Sequence, residues 1–287
     1  MIKVSAPGKL MLLGEHAVVY GYPCIVTAVS QRLEVSVSKI DDIPMDRRFV
    51  DAAIRAWGDG KDYAFSIKSA FSGKYGFGSS AAVTVAALKA MRPIVENWVL
   101  FDAAYKIVLD VQGVGSGFDV AAATYGGTLY FVAAGKIIEP LEIKELPLIV
   151  GYTGMKADTT TLIKQVAEKK EKNPEKVERI FQAIAKLVEE AKTRILEADW
   201  ERVGKLMDFN QEYLRDLGVS SEKLETLISA AKKAGAWGAK LSGAGGGDCM
   251  IALATSDKRE VIGKAIERAG GQAIDVRPNA EGVRIEL

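Results

Sequence analysis

A change of texture near residue 147 constrains this chain's fold more than any other feature. Before it, short β-branched runs alternate with Gly-rich turns: MIKVSA, CIVTAV, RLEVSVSKI, YAFSIKSAF, GGTLYFVAAG and KIIEPLEI. Runs of this kind, several with period-two alternation, predict strands. Helices are expected to interrupt them at Arg47 to Trp57, Ser80 to Met91 and Phe101 to Val111. After LPLIVGYTG, long amphipathic helices take over. Val177, Ile180, Phe181, Ile184, Leu187, Val188, Ala191 and Ile195 recur at three- and four-residue steps, a continuous apolar stripe. Asn173 and Pro174 supply that helix with an N-cap and a first-turn proline. Further helices are predicted over 200–216 and 221–234, before strands return at CMIALA and VRIEL. The expectation is an α+β chain of two lobes, 1–147 and 148–287.

Composition matters mainly through what is scarce. A single histidine, His16, and two cysteines, Cys24 and Cys249, rule out zinc sites built from several histidines or four cysteines. A Ser-His-Asp triad would have to run through His16. Two distant cysteines and a start without an apolar leader point to a reducing, cytoplasmic setting. No stretch approaches bilayer length. With 38 basic and 37 acidic residues the net charge is +1, so neither nucleic acid nor an anionic membrane is an expected partner. Any phosphate affinity must be local.

Three Gly-rich segments carry the candidate chemistry. In Lys74-Tyr75-Gly76-Phe77-Gly78-Ser79-Ser80-Ala81, glycines enter a helix whose free N–H groups would cradle an anion. A serine-capped tight turn is an equally good account of that segment by itself. In Ser242-Gly243-Ala244-Gly245-Gly246-Gly247-Asp248, the glycines lose backbone entropy that no side-chain packing restores, which favours a functional loop. In Gly115-Ser116-Gly117-Phe118-Asp119, the aspartate is a candidate general base or cation ligand, and by spacing alone more simply an N-cap. Near the start, Lys9, Glu15 and His16 fall within one short stretch.

Taken in order, PGKLMLLGEHAVVYG, GFGSSAAVTVA and SGAGGGDC, with GSGFD between the second and third, resemble the signature motifs of the GHMP small-molecule kinases. The resemblance spans residues 4–254 and implies a GHMP kinase fold, with a ribosomal-S5-like N-terminal lobe, a ferredoxin-like C-terminal lobe and the active site between them. It implies ATP and Mg2+ as cofactors. Lys74, Gly76, Phe77, Gly78, Ser79, Ser80 and Ala81 match the ATP-binding segment, and Ser80 matches the family's magnesium ligand. Asp119 matches the aspartate that orients or deprotonates the acceptor hydroxyl, and Lys9 the lysine that stabilises it. Glu15, His16, Ser116, Thr153, Gly243, Ala244 and Gly245 match the substrate side.

Within the family the motifs resemble the mevalonate kinase and phosphomevalonate kinase branch. GEHAVVYG favours mevalonate as acceptor, with transfer of the ATP γ-phosphoryl group to its 5-hydroxyl. KYGFGSSAAVTVA and GAGGGDC favour 5-phosphomevalonate, the alternative acceptor. Where the resemblance leads one to expect a magnesium-binding glutamate the chain has Val108; either Asp110, two residues on, joins Ser80 as the metal ligand, or the metal is held by Ser80, water and ATP alone. An ATP-dependent decarboxylase or a non-catalytic sensor of the same fold are the remaining alternatives. The expected partner is a small-molecule substrate, with a homodimer an open option.

Overall fold

The computed structural model describes residues 2–38, 42–43, 46–60, 63–71, 73 and 75–286. Its first sheet begins with β1 (Lys3–Leu13) and β2 (Pro23–Ser38), paired antiparallel. Helix α1 (Arg48–Trp57) leads to β3 (Ala64–Ser69), and α2 (Ser79–Met91), α3 (Asn97–Gln112) and α4 (Phe118–Tyr125) follow. Strands β4 (Thr128–Val132) and β5 (Ile137–Pro140) complete this part of the chain. The run CIVTAV and the residues Arg32 to Ser38 form one strand, β2, which pairs with β4 through its first residues and with β3 through its last.

The second sheet opens with β6 (Leu148–Tyr152), followed by α5 (Thr159–Lys172), α6 (Pro174–Leu196), α7 (Trp200–Leu217) and α8 (Glu222–Lys233). Strands β7 (Gly238–Ser242) and β8 (Cys249–Leu253), helix α9 (Arg259–Arg268) and β9 (Gln272–Ile274) follow, in spatial order β7-β8-β6-β9. The last strand, β10 (Arg284–Glu286), returns to the first sheet and pairs with β1, giving the order β10-β1-β2-β4-β5.

The helices form for the reasons their sequences supply. The stripe on α6 is buried from Val177 to Ile195, with Leu187 partly so. Helix α2 is apolar on nearly every face and is buried against β1 and β2, which makes it the central helix of the first sheet. Ring stacking of Tyr20 on Phe181, with centroids 4.6 Å apart, joins the segment after β1 to α6. Among the described residues no helix is long and apolar enough to cross a membrane. Cys24 and Cys249 are buried free thiols.

Candidate active site

Proline cannot donate to a strand ladder and is tolerated at bulges, and β1 shifts register between Pro7 and Gly8. Lys9 follows the bulge. Its amide donates to Phe77 O at 2.9 Å and its Nζ to Gly76 O at 2.7 Å. A β-carbon on Gly8 would lie 3.0 Å from Phe77 Cβ, so strand and loop are in direct contact.

Helix α2 starts at that loop. Its N-cap, Gly78, has φ 77° and provides no side-chain cap. The first-turn N–H groups and the positive end of the dipole are thus left for a ligand. A β-carbon on Gly78 would meet Lys9 Cε at 3.2 Å and Asp119 Cβ at 3.5 Å, so the lysine and the aspartate flank this glycine.

Asp119 is in the first turn of α4, whose N-cap is Gly117 at φ 91°, so the N-cap alternative for Asp119 does not hold. Its Oδ1 accepts from Val120 N at 3.0 Å. Burial pushes the carboxyl above its ordinary range, while the Lys9 charge and the Val120 amide pull it down. Tyr105, on α3, fixes the turn: its hydroxyl donates to Gly115 O at 3.2 Å, and its ring leaves no room for a β-carbon on Gly117.

The same cavity is lined by the segment that follows β1 and by the Gly-rich segment 242–248. His16, at φ 60° and 5% exposed, meets Ala244 O through Nε2 at 2.9 Å. That contact assigns the proton to Nε2 and leaves Nδ1 as an acceptor. Burial lowers the imidazole's affinity for a second proton, and the Ala244 carbonyl acts in the opposite direction. Glu15 is buried in an ion pair with Lys240 of β7, whose Nζ also reaches Leu241 O. Among the described residues the second oxygen of Glu15, Oε2, has no hydrogen-bond partner, nor does the buried Ser116 hydroxyl.

Lys9, Glu15, His16, Gly76, Gly78, Ser79, Ser80, Ser116, Asp119, Gly243 and Ala244 all line one cavity of about 820 Å3. Five candidates from the sequence do not. Asp110 is exposed, because two residues along α3 turn it about 200° from Val108, which does line the cavity. This corrects its proposed place beside Ser80. Thr153 is turned inward, its hydroxyl 3.0 Å from Asp248 O. Phe77 and Ala81 have buried side chains, and Gly245 packs against the Val219 backbone. Lys74 lies outside the described residues. Tyr105, which lines the cavity, and Lys240, which pairs with Glu15, are residues that the sequence motifs do not single out, whereas Lys156, a candidate cation by sequence, also lines the cavity. Tyr105 shares a helical face with Val108 and Gln112, and Lys240 is a lone charge in the apolar run before SGAGGGD; these are the signals by which they could be found.

Residues 47–127 match the family described as GHMP kinases N terminal domain, and residues 184–272 that described as GHMP kinases C terminal. The chain belongs to the GHMP kinase family, and its fold is the GHMP kinase fold. Among its relatives, the mevalonate kinase of Pyrococcus horikoshii is 37% identical, with 99% of this chain and 98% of that protein covered. The mevalonate kinase of Archaeoglobus fulgidus is 33% identical, with 98% and 99% covered. Among solved structures, L. major mevalonate kinase in complex with R-mevalonate superposes with a TM-score of 0.82 at 27% identity, covering 98% of this chain and 96% of that one.

Proposed function

We propose that this protein is a mevalonate kinase that transfers the ATP γ-phosphoryl group to the 5-hydroxyl of mevalonate. The supporting observation is the convergence of Lys9, Asp119 and the N-terminus of α2 on one cavity that Glu15 and His16 also line. Phosphoryl transfer passes through a loose transition state with charge spread over the oxygens, so positioned cations and N–H donors carry much of the catalysis. The Gly76–Ser80 segment and the α2 N-terminus receive the nucleotide phosphates. Asp119, beside Lys9, accepts the proton of the attacking hydroxyl. Lys9 steadies the charge that develops on that oxygen. His16, neutral and with Nδ1 as acceptor, orients a substrate hydroxyl. Ser116 offers a buried hydroxyl that has no partner among the described residues.

Among the described residues no group of three or more His, Cys, Asp or Glu side chains is placed to hold a metal alone. This fits Mg2+, which is ordinarily held by substrate phosphates and few protein ligands. Ser80 is the side chain that would hold it here. When bound, the ion neutralises charge on the β- and γ-phosphates.

The cationic side chains lining the cavity bear on the acceptor. Among the described residues these are Lys9, Arg48 and Lys156; Arg48 is paired with Asp46 at 2.7 Å, and Lys9 is held at Gly76 O. Lys156 remains among the described residues, a cation that suits the carboxylate of mevalonate. We place the lobe boundary at 147/148, supported by strands β1–β5 and β6–β9 forming separate sheets, with β10 returning to the first. We place the protein in the cytoplasm, supported by its two free thiols. An ADP-release assay offering mevalonate, 5-phosphomevalonate, galactose and homoserine in parallel tests the substrate. Turnover of mevalonate alone is expected; turnover of 5-phosphomevalonate without mevalonate would reverse the assignment.

A further inference from the structure

Asp248 ends the Gly-rich segment 242–248 after three consecutive glycines, yet it is not itself a glycine although its φ is 54°. Side chains other than Asn and Asp are seldom placed there, and glycine would be relaxed. The carboxylate is buried and touches two other loops. Its Oδ1 accepts from Ala157 N at 2.9 Å. Its other oxygen lies against Gly76, where a β-carbon would come within 2.4 Å of Oδ2. The Asp248 backbone is engaged as well: its amide donates to Met155 O at 2.8 Å and its carbonyl accepts from Thr153 N at 2.9 Å.

We propose that Asp248 is a positioning residue, a latch that holds the 153–158 loop against the Gly76–Gly78 turn and so sets the acceptor end of the cavity. On one side of the latch, Gly76 O receives Lys9 Nζ at 2.7 Å. On the other, Lys156, Asp158, Thr159 and Thr160 line the cavity. A displaced latch would move the Lys156 loop relative to Lys9, which enlarges the space for the acceptor without removing any group that reacts. The backbone bonds of Asp248 survive substitution, so only the carboxylate contacts are lost. Thr153 helps by holding the Asp248 carbonyl, which accounts for its inward orientation.

This inference rests on the mevalonate kinase assignment for its kinetic part only. The test compares the parent protein with Asp248→Gly and Asp248→Asn. Glycine removes the latch and relaxes the backbone; asparagine keeps the side-chain oxygen acceptor and tolerates the conformation. Asp248→Gly is expected to raise the KM for mevalonate five- to tenfold while kcat falls less than threefold and Tm stays within a few degrees. Asp248→Asn should keep the parent KM within about twofold. Hydrogen exchange without substrate should show the Ala157 amide opening at least tenfold faster in Asp248→Gly alone. Unchanged exchange at Ala157 in Asp248→Gly, or a mevalonate KM equal to the parent's, overturns the proposal, as does an Asp248→Asn variant as impaired as Asp248→Gly. A parent that does not turn over mevalonate counts against the assignment, and the exchange measurement still decides the latch.

Discussion

Asp119 is held between opposing influences, and their balance sets its expected behaviour. Burial raises its pKa above the ordinary 3.8, and Lys9 is the chief force in the other direction. A carboxyl raised by folding contributes stability while protonated, and that contribution is lost as pH rises from the unfolded value through the folded one. Asparagine is neutral at every pH and keeps it. Asp119→Asn should therefore hold Tm at or above the parent's at pH 7, while turnover falls about 10³-fold and nucleotide binding persists. Melting curves and steady-state rates check both halves. The rate should also decline on acidification through a pH above 3.8, as the base becomes protonated. Lys9→Met removes the charge that favours the carboxylate, so the acid limb of the residual rate should move to higher pH; a limb that stays in place would deny the Lys9–Asp119 coupling.

At the scale of elements, the site depends on helix starts that lack side-chain caps. Both α2 and α4 begin at a glycine in the left-handed region, Gly78 and Gly117. Ser or Asp would be the ordinary cap and would occupy the very N–H groups that a phosphate needs. Gly78→Ala meets two penalties, a left-handed backbone costing roughly 1–2 kcal/mol and a β-carbon 3.2 Å from Lys9 Cε. A lower Tm together with weaker nucleotide binding by calorimetry is expected. Loss of stability with full nucleotide affinity would argue that the α2 N-terminus does not hold phosphate.

For the whole molecule, the ion pair between Glu15 and Lys240 joins the segment after β1, in the first sheet, to β7, in the second. Both side chains are at most 1% exposed. Burial raises Glu15 and lowers Lys240, and each partner opposes the other's shift. Such a pair adds little net stability, but breaking it strands a charge at a cost of about 3–5 kcal/mol. Lys240→Met should lose stability of that order in denaturant unfolding, and Lys240→Met combined with Glu15→Gln should regain part of it. A single variant as stable as the parent would show that the pair is not maintained as ions.

Several parts of this arrangement are legible in the amino-acid sequence alone. The stripe on α6, its start at Pro174, the helices α1, α7 and α8 and the strands of the first sheet follow from hydrophobic period and turn residues, which act locally, although Asn173 makes no side-chain capping bond. Lys9, Ser80 and Asp119 are marked by the resemblance to the GHMP signature motifs, whereas the glycines around them, taken alone, fit capped turns equally well. Helices α5 and α9 and strand β7 are not legible: α5 buries only Val166, and β7 contains a lysine. Such segments take their form from neighbours rather than from their own pattern. Proximity in space is likewise beyond the sequence. Asp110 is an apt substitute by its place two positions from Val108, and the turn of a helix sends it to solvent. Lys240 is 225 residues from Glu15 and meets it only because two sheets come together. The sequence by itself determined which residues have the chemistry and which backbone turns glycine permits, since both are properties of single residues and near neighbours. Tertiary structure decided which side chains share the cavity, because that depends on contacts between segments far apart in the chain.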